Sequence, residues 1–470
     1  MNKFDSFLPW TKKRIAAFSP EELQLLFAID KSVIQDQCIP ITNLMTLLYS
    51  KLNSTTNLTQ FKNRQILVNW YQQIGRFTFD IDGLVKKGQL SDRDIDAAKT
   101  DVFGINLVGY ARSMTGLGED IRHLSQLLEL MGIPFCVVIL GHPADDIQNV
   151  NVAKGTHSPL YKCSLFCMNL IEFDKLTTVY DDFKNTFGFT ILQAPWELPR
   201  LPDIPADSLQ LVNEFWAIST FVEQAFIQAG YKNVTQVSPV CCDPKPATDY
   251  ELNINQQRPF TFLYVFDAGS YLSRKNPQAL VESFQRAFYQ SQNVRLVLKV
   301  SNGERNSQFN EFRQKCAADC RVQLITEPQS SSQITTLYER MDCYISLHRS
   351  EGFGRTIAEA CLHGKPVIAT NWSGSCDILP VDTELLVEFA LRELRENEYP
   401  FGDNQHWAEP SIASAAEKME IVFNMTKTQR HEIGRKNRKH VAERYSICTA
   451  PARYQPLFDV YRKQRAKGQL

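Results

Sequence analysis

The chain has 470 residues, 43% of them apolar, with 51 Lys and Arg against 52 Asp and Glu for a formal charge of −1. That length allows about three domains, and the balanced charge argues against a general nucleic-acid binder, which needs a basic excess. The start, MNKFDSFLPW, lacks the continuous apolar stretch of a secretory signal, and the apolar run Phe135–Leu140 has a strand's length, far short of a membrane span.

Twelve cysteines are scattered along the chain. Neither close pair, Cys163/Cys167 or Cys316/Cys320, has a companion at zinc-binding spacing, so they read as reduced core thiols of a cytoplasmic protein.

Residues 1–100 read as a helical accessory domain. Ser19, Pro20 and Glu22 make a capping-box pattern, and ITNLMTLLYSKL and NRQILVNWYQQIG carry apolar residues at helical spacing. From residue 101 short apolar runs alternate with helices. GINLVGY, FCVVIL, CSLFCMNLI and GFTILQAPW read as strands, GLGEDIRHLSQLLELMG reads as a helix, and LQLVNEFWAIST begins a helix-to-strand passage. The proline-rich SPVCCDPKPATDYELNINQQRP reads as a linker.

A second alternating series starts at FTFLYVFDAGS and runs through VRLVLKV, VQLI, CYISLH and PVIAT, with helices between. Helical stretches IASAAEKMEIVFN and APARYQPLFDVYRKQRAKG close the chain. Strand–helix alternation implies parallel strands with right-handed crossovers. The expected fold class is α/β: two Rossmann-like domains, 101–247 and 248–445, facing a cleft at the carboxyl ends of their strands. Residues 446–470 form a C-terminal helix expected to pack back on the first of them.

In SLHRSEGFGRTIAEACLHGKPVIAT, the run CYISLH delivers the chain to a strand's carboxyl end, RSEGFG is the loop, and RTIAEACLH is the helix. Gly352 and Gly354, either side of Phe353, let backbone approach a ligand, and the helix N-terminus offers N–H groups to an anion. Glu351 sits in the loop, and Glu359 leans back from within the helix toward the same end. Carboxylates are strong acceptors for paired hydroxyls, so a nucleotide sugar, with hydroxyls on both sides of a diphosphate, fits. A turn and a solvated helix glutamate would be the bland alternative.

The whole string resembles the Glu-x7-Glu signature of glycosyltransferase family 4, retaining enzymes of the GT-B fold. YPFGDNQHWAEPSIASAAEKM, WELPRLP and NEFWAISTFV resemble Tyr-Pro, Trp-Ala-Glu-Pro, Trp-Glu and Glu-x-Trp-x-x-Ser segments of a bacterial O-antigen-type mannosyl- or rhamnosyltransferase branch. GYARSMTGLGEDIRHL resembles the family's first glycine-rich loop. The resemblance spans about residues 101–450.

That resemblance implies transfer of a hexosyl group from a nucleotide diphosphate sugar to a glycan or lipid-linked glycan, with a peripheral contact at the inner face of the membrane. It implies that Gly116 and Gly118 close over the donor and that Lys275 holds the diphosphate. The family's earlier arginine would fall near Gly269 or Ser270 and is absent, leaving Arg274 or Lys299 as substitutes. Asn169 stands where many members carry a histidine. His348 and Arg349 precede Glu351 and face the cleft by position. Trp196 and Glu197 follow another strand and are acceptor-side candidates; a core Trp and a capping Glu are an equal reading. His142 is a further loop candidate.

Asp145-Asp146 and Asp181-Asp182 lack the spacing of a metal-binding Asp-x-Asp, so neither a metal nor another cofactor is expected. The competing reading is a non-catalytic nucleotide-sugar or glycan-binding subunit, supported by the missing arginine and by Asn169. A nicotinamide oxidoreductase would need a full GxGxxG, which is absent.

Overall fold

The computed structural model describes residues 41, 43, 45, 46, 67, 102–141, 152, 154–156, 158–180, 182–202, 206–244, 258–303 and 308–467. Apart from residues 41, 43, 45, 46 and 67, the predicted helical domain over 1–100 therefore lies outside the described residues, as do His142, Asp145, Asp146, Asp181 and most of the linker. The chain divides into two compact units: 1–192 with 204–213 and 461–470, and 193–203 with 214–460.

The first unit holds strands β1 (Ile105–Gly109), β2 (Phe135–Ile139), β3 (Gly155–Thr156), β4 (Cys163–Cys167) and β5 (Phe189–Gln193), in the order β3-β2-β1-β4-β5. β1 pairs in parallel with β2 and β4, in register Leu107–Val137 and Leu107–Leu165. Helices α1 (Gly116–Leu130), α2 (Leu170–Thr177), α3 (Phe183–Phe187) and α4 (Ala206–Leu209) accompany them.

Every residue of β1, β2 and β4 is buried, the pattern of a parallel strand covered on both faces. One buried polar residue is fully employed: Asn106 Oδ1 accepts from the Leu160 and Tyr161 N–H groups, and Nδ2 donates to the Tyr161 carbonyl and Ser164 Oγ. Phe166 packs on Phe173, Phe183 and Phe187 at centroid distances of 5.0–5.6 Å. Tyr461 meets Phe189 at 5.5 Å.

The expected strand CSLFCMNLI is shorter than read. It ends at Cys167, and Asn169 caps the next helix, its Oδ1 accepting from the Glu172 N–H at 2.8 Å. A side-chain acceptor at that position satisfies an orphan helix donor and starts α2 where alternation alone continues a strand.

In the second unit β6 (Glu214–Ala217) and β7 (Val234–Gln236) pair in parallel around α5 (Thr220–Gln228). The larger sheet holds β8 (Phe260–Asp267), β9 (Val294–Ser301), β10 (Val322–Ile325), β11 (Cys343–Ser346), β12 (Val367–Thr370) and β13 (Leu386–Val387). Its order is β10-β9-β8-β11-β12-β13, all parallel. An antiparallel pair, β14 (Phe389–Glu393) and β15 (His406–Pro410), follows.

The helices of this unit are α6 (Leu272–Lys275), α7 (Pro277–Ala287), α8 (Phe309–Ala317), α9 (Ser331–Arg340), α10 (Arg355–Leu362), α11 (Ile412–Asn424), α12 (Lys427–Tyr445) and α13 (Ala450–Ala466). The order is the point of the fold for function. β11 lies between β8 and β12, so the loops leaving the carboxyl ends of all three emerge side by side. Among the described residues no helix is long and apolar enough to cross a membrane.

Candidate functional site

The loop after β11 carries Glu351, and its backbone is pinned on both sides. Its N–H donates to Ser373 Oγ at 2.8 Å, and its carbonyl accepts from the Gly374 N–H at 2.9 Å. Ser219 Oγ donates to the Gly352 carbonyl at 2.6 Å. Gly374 has to be glycine: a Cβ there would sit 2.1 Å from the Gly352 carbonyl oxygen. Gly354 caps α10 at φ +100°, where a side chain is strained. Phe353 is buried and packs on Tyr445 at 5.1 Å.

The segment after β8 carries the cations. A 3-10 turn, Ala268–Ser270, leads into the four-residue α6. Tyr271 and Asn276 flank α6 with φ of 65° and 50°, an uncommon conformation for side-chain-bearing residues. The turn is tied down: Tyr264 OH donates to the Lys275 carbonyl at 2.9 Å, and Ser273 Oγ to the Glu398 carbonyl at 2.6 Å.

Glu351 meets both cations. Lys275 Nζ lies 2.5 Å from one carboxylate oxygen and Arg274 Nη1 3.1 Å from the other. Arg274 also donates to the Ser350 carbonyl at 2.9 Å. Burial pushes the Glu351 carboxyl up, but Lys275, Arg274 and His348 outweigh it and hold it down at about 2. Burial opposes the Arg274 charge, and Glu351 and Glu197 overcome that to raise the group above its ordinary value. Lys275 is lowered, first by burial and then by Arg274, against the pull of Glu351. Taking ions out of water costs several kcal/mol each. Such clusters concentrate where a charged ligand is handled.

His348 is fully buried, with Nδ1 3.0 Å from Ser346 Oγ and Nε2 2.8 Å from Ser375 Oγ. Burial, with Lys275 and Arg274, lowers it to about 4, so the imidazole is neutral near pH 7. Arg349 is spent elsewhere. Its guanidinium forks onto Glu409 at 2.8 and 2.9 Å and donates to the Ser273 carbonyl. Arg392 shares the same carboxylate at 2.6 Å, and both guanidinium groups lie over the Trp407 ring, at 5.8 and 5.3 Å.

Trp196 and Glu197 belong to this unit too. The Trp196 indole is buried with Leu198, Ala225 and Trp407, and its Nε1 donates to the Arg200 carbonyl at 2.8 Å. Tyr399 donates its hydroxyl to Glu197 at 2.7 Å, and the other Glu197 oxygen stands 3.9 Å from Arg274 Nη2. The Trp-Glu, Tyr-Pro and Trp-Ala-Glu-Pro segments thus pack as one supporting shell around Arg274 and Arg349. Sequence reasoning had no partner for Tyr399 or Glu409; their placement in matching motifs was the available signal.

Other candidates have different partners. Glu359 accepts from Tyr338 OH at 2.9 Å. Lys299 is buried, its Nζ donating to the Val300 carbonyl at 3.1 Å, and burial lowers it against the pull of Glu327 and Asp267. Asp267 also faces Ser270 and accepts from Asn302 Nδ2 at 2.9 Å. Asn169, Gly116 and Gly118 belong to the first unit. A Cβ at Gly118 would lie 2.1 Å from the Ser113 carbonyl oxygen, whereas Gly116 faces open space. Among the described residues no group of three or more His, Cys, Asp or Glu is placed to hold a metal ion.

Residues 251–388 match the family model described as glycosyl transferases group 1. HepE from Anabaena, solved with UDP and glucose, is 15% identical with a TM-score of 0.53, over 76% of this chain and 99% of that chain. The fold is that of a GT-B glycosyltransferase. A glycosyltransferase from Rickettsia africae is 16% identical with a TM-score of 0.53, over 76% of this chain and 98% of that chain. At such identities the likeness to solved glycosyltransferases shows the fold alone. S. aureus TarM, at 14% identity and a TM-score of 0.45 over 63% of this chain, is too distant to carry weight; the chain spans 55% of its length. No curated protein sequence matches the chain.

Proposed function

We propose that the protein is a retaining, metal-independent glycosyltransferase of family 4. It moves a hexosyl group from a nucleotide diphosphate sugar to a glycan hydroxyl in bacterial surface-polysaccharide assembly. The observation that carries this reading is the Glu351–Lys275–Arg274 cluster, with Arg274 buried and the other two half-buried, at the carboxyl ends of β8 and β11 and within the residues that match the group 1 glycosyl transferase model.

Lys275 and Arg274 hold the diphosphate and stabilise its charge as the leaving group. Backbone N–H groups from Gly352 to Gly354, at the start of α10, add to that field. Glu351, kept ionised, accepts from hydroxyls of the donor sugar as positive charge builds on the ring. His348, neutral, positions the loop through the two serine hydroxyls. The bond from the anomeric carbon to the phosphate oxygen breaks, and the acceptor oxygen bonds to the same face. The acceptor's proton passes to the departing phosphate.

A panel of nucleotide sugars tests the reading by thermal stabilisation, since a ligand that binds only the native state raises its stability. UDP sugars come first, because HepE is a fold neighbour solved with UDP. One donor should raise the melting temperature, and its transfer product should keep the donor's anomeric configuration. An inverted product contradicts retention, and a panel without effect contradicts nucleotide-sugar binding.

A further inference from the structure

Arg274 is a tightly held cation. It is 4% exposed, it bonds the Ser350 carbonyl and Glu351 through Nη1, and its buried Nε has no hydrogen-bond partner among the described residues. A second carboxylate, Glu197, faces its Nη2 at 3.9 Å, too far for a hydrogen bond but close enough for strong attraction. Glu197 is itself clamped by Tyr399, whose ring meets Arg274 at 6.0 Å and Tyr271 at 4.8 Å.

Arg274 and Lys275 supply two positive charges, and Glu351 and Glu197 two negative ones, so the cluster is balanced before any anion arrives. A site built only for anion affinity would leave out the second carboxylate.

We propose that Glu197 tempers the anion affinity of the cation pair: fixed by Tyr399 and facing the Arg274 guanidinium, it offsets one of the charges a diphosphate meets. This rests on Arg274 and Lys275 being the diphosphate site. A carboxylate that merely shores up the fold would, when removed, weaken anion binding and stability together. A carboxylate that offsets the site's charge does the opposite to binding.

The test is titration calorimetry with inorganic pyrophosphate and with UDP, alongside melting temperature, on wild type, E197Q and E197D. Glutamine keeps an acceptor for the Tyr399 hydroxyl and removes the charge. E197Q should bind pyrophosphate about fivefold to tenfold more tightly, with its melting temperature kept. E197D, which keeps the charge, should return to near the wild-type affinity. Unchanged or weaker binding in E197Q, or loss of its fold, overturns the charge-offsetting role while leaving the diphosphate site standing. Wild-type protein that binds neither pyrophosphate nor UDP overturns the site reading and the proposal with it.

Discussion

Lys275 and Glu351, 76 residues apart in the chain, meet at 2.5 Å. The contact follows from strand order. β8 and β11 are parallel neighbours, so the short helix after one and the glycine loop after the other leave the sheet at the same end. The pair leaves a cation and a carboxylate poised at the place where open α/β sheets take ligands.

If that lysine holds a diphosphate, Lys275→Ala should weaken the nucleoside diphosphate and the intact donor alike. Loss of one charge-assisted contact corresponds to about tenfold to a hundredfold in affinity. Titration calorimetry with both ligands measures it. Unchanged nucleotide affinity would move the role to Arg274 or Lys299.

Acid stability should fall in two windows. His348 is lowered to about 4 from an ordinary 6.5, so its contribution is full above 6.5 and is lost as pH falls toward 4. That shift amounts to about 3 kcal/mol. Glu351, held at about 2 against an ordinary 4.5, contributes above 4.5 and is lost as pH falls toward 2. Denaturant unfolding between pH 7 and 4 should show a shallower decline for His348→Gln than for wild type, with the slope left by His363, also lowered to about 4. Identical declines would remove His348 from the account.

Gly374→Ala should destabilise the protein by about 3 kcal/mol and disorder the Glu351 loop. The three nearest atoms to the added carbon are backbone atoms of Gly352 and Glu351, which cannot rotate away. Equilibrium unfolding, with nucleotide binding measured alongside, checks it. A variant as stable as wild type would contradict the close approach of the two loops.

The parallel sheets were legible because buried strands read as continuous apolar runs, as in FCVVIL and CYISLH, punctuated by capped helices. α6 was not, because four residues carry no periodicity and its shape depends on Tyr271 and Asn276 at positive φ. The β14–β15 pair was hidden because FALRE alternates weakly. At the site, Glu351 was singled out by its place before a glycine loop at a strand's end, and Lys275 and Arg274 through the family resemblance. Their mutual contacts, and the employment of Arg349 by Glu409, depend on which loops the strand order brings together. Glu359 was expected to reach toward the ligand; in the structure it accepts from Tyr338, an aromatic residue on another helix with no local signal pointing to it.

Transfer activity should survive EDTA, because Lys275 and Arg274 supply the positive charge that a metal would otherwise bring to the phosphates. Loss of activity on chelation, restored by magnesium or manganese, would contradict that assignment.

The most direct measurement is nucleoside diphosphate release from a panel of nucleotide sugars, by wild type and by Glu351→Gln at saturating donor. Wild type should turn over one donor. Glu351→Gln should stay folded, though less stable, and lose about a hundredfold or more in kcat, the scale of losing one aimed polar contact. Near wild-type turnover in Glu351→Gln, or no donor turned over by the wild-type protein, would contradict the proposed function.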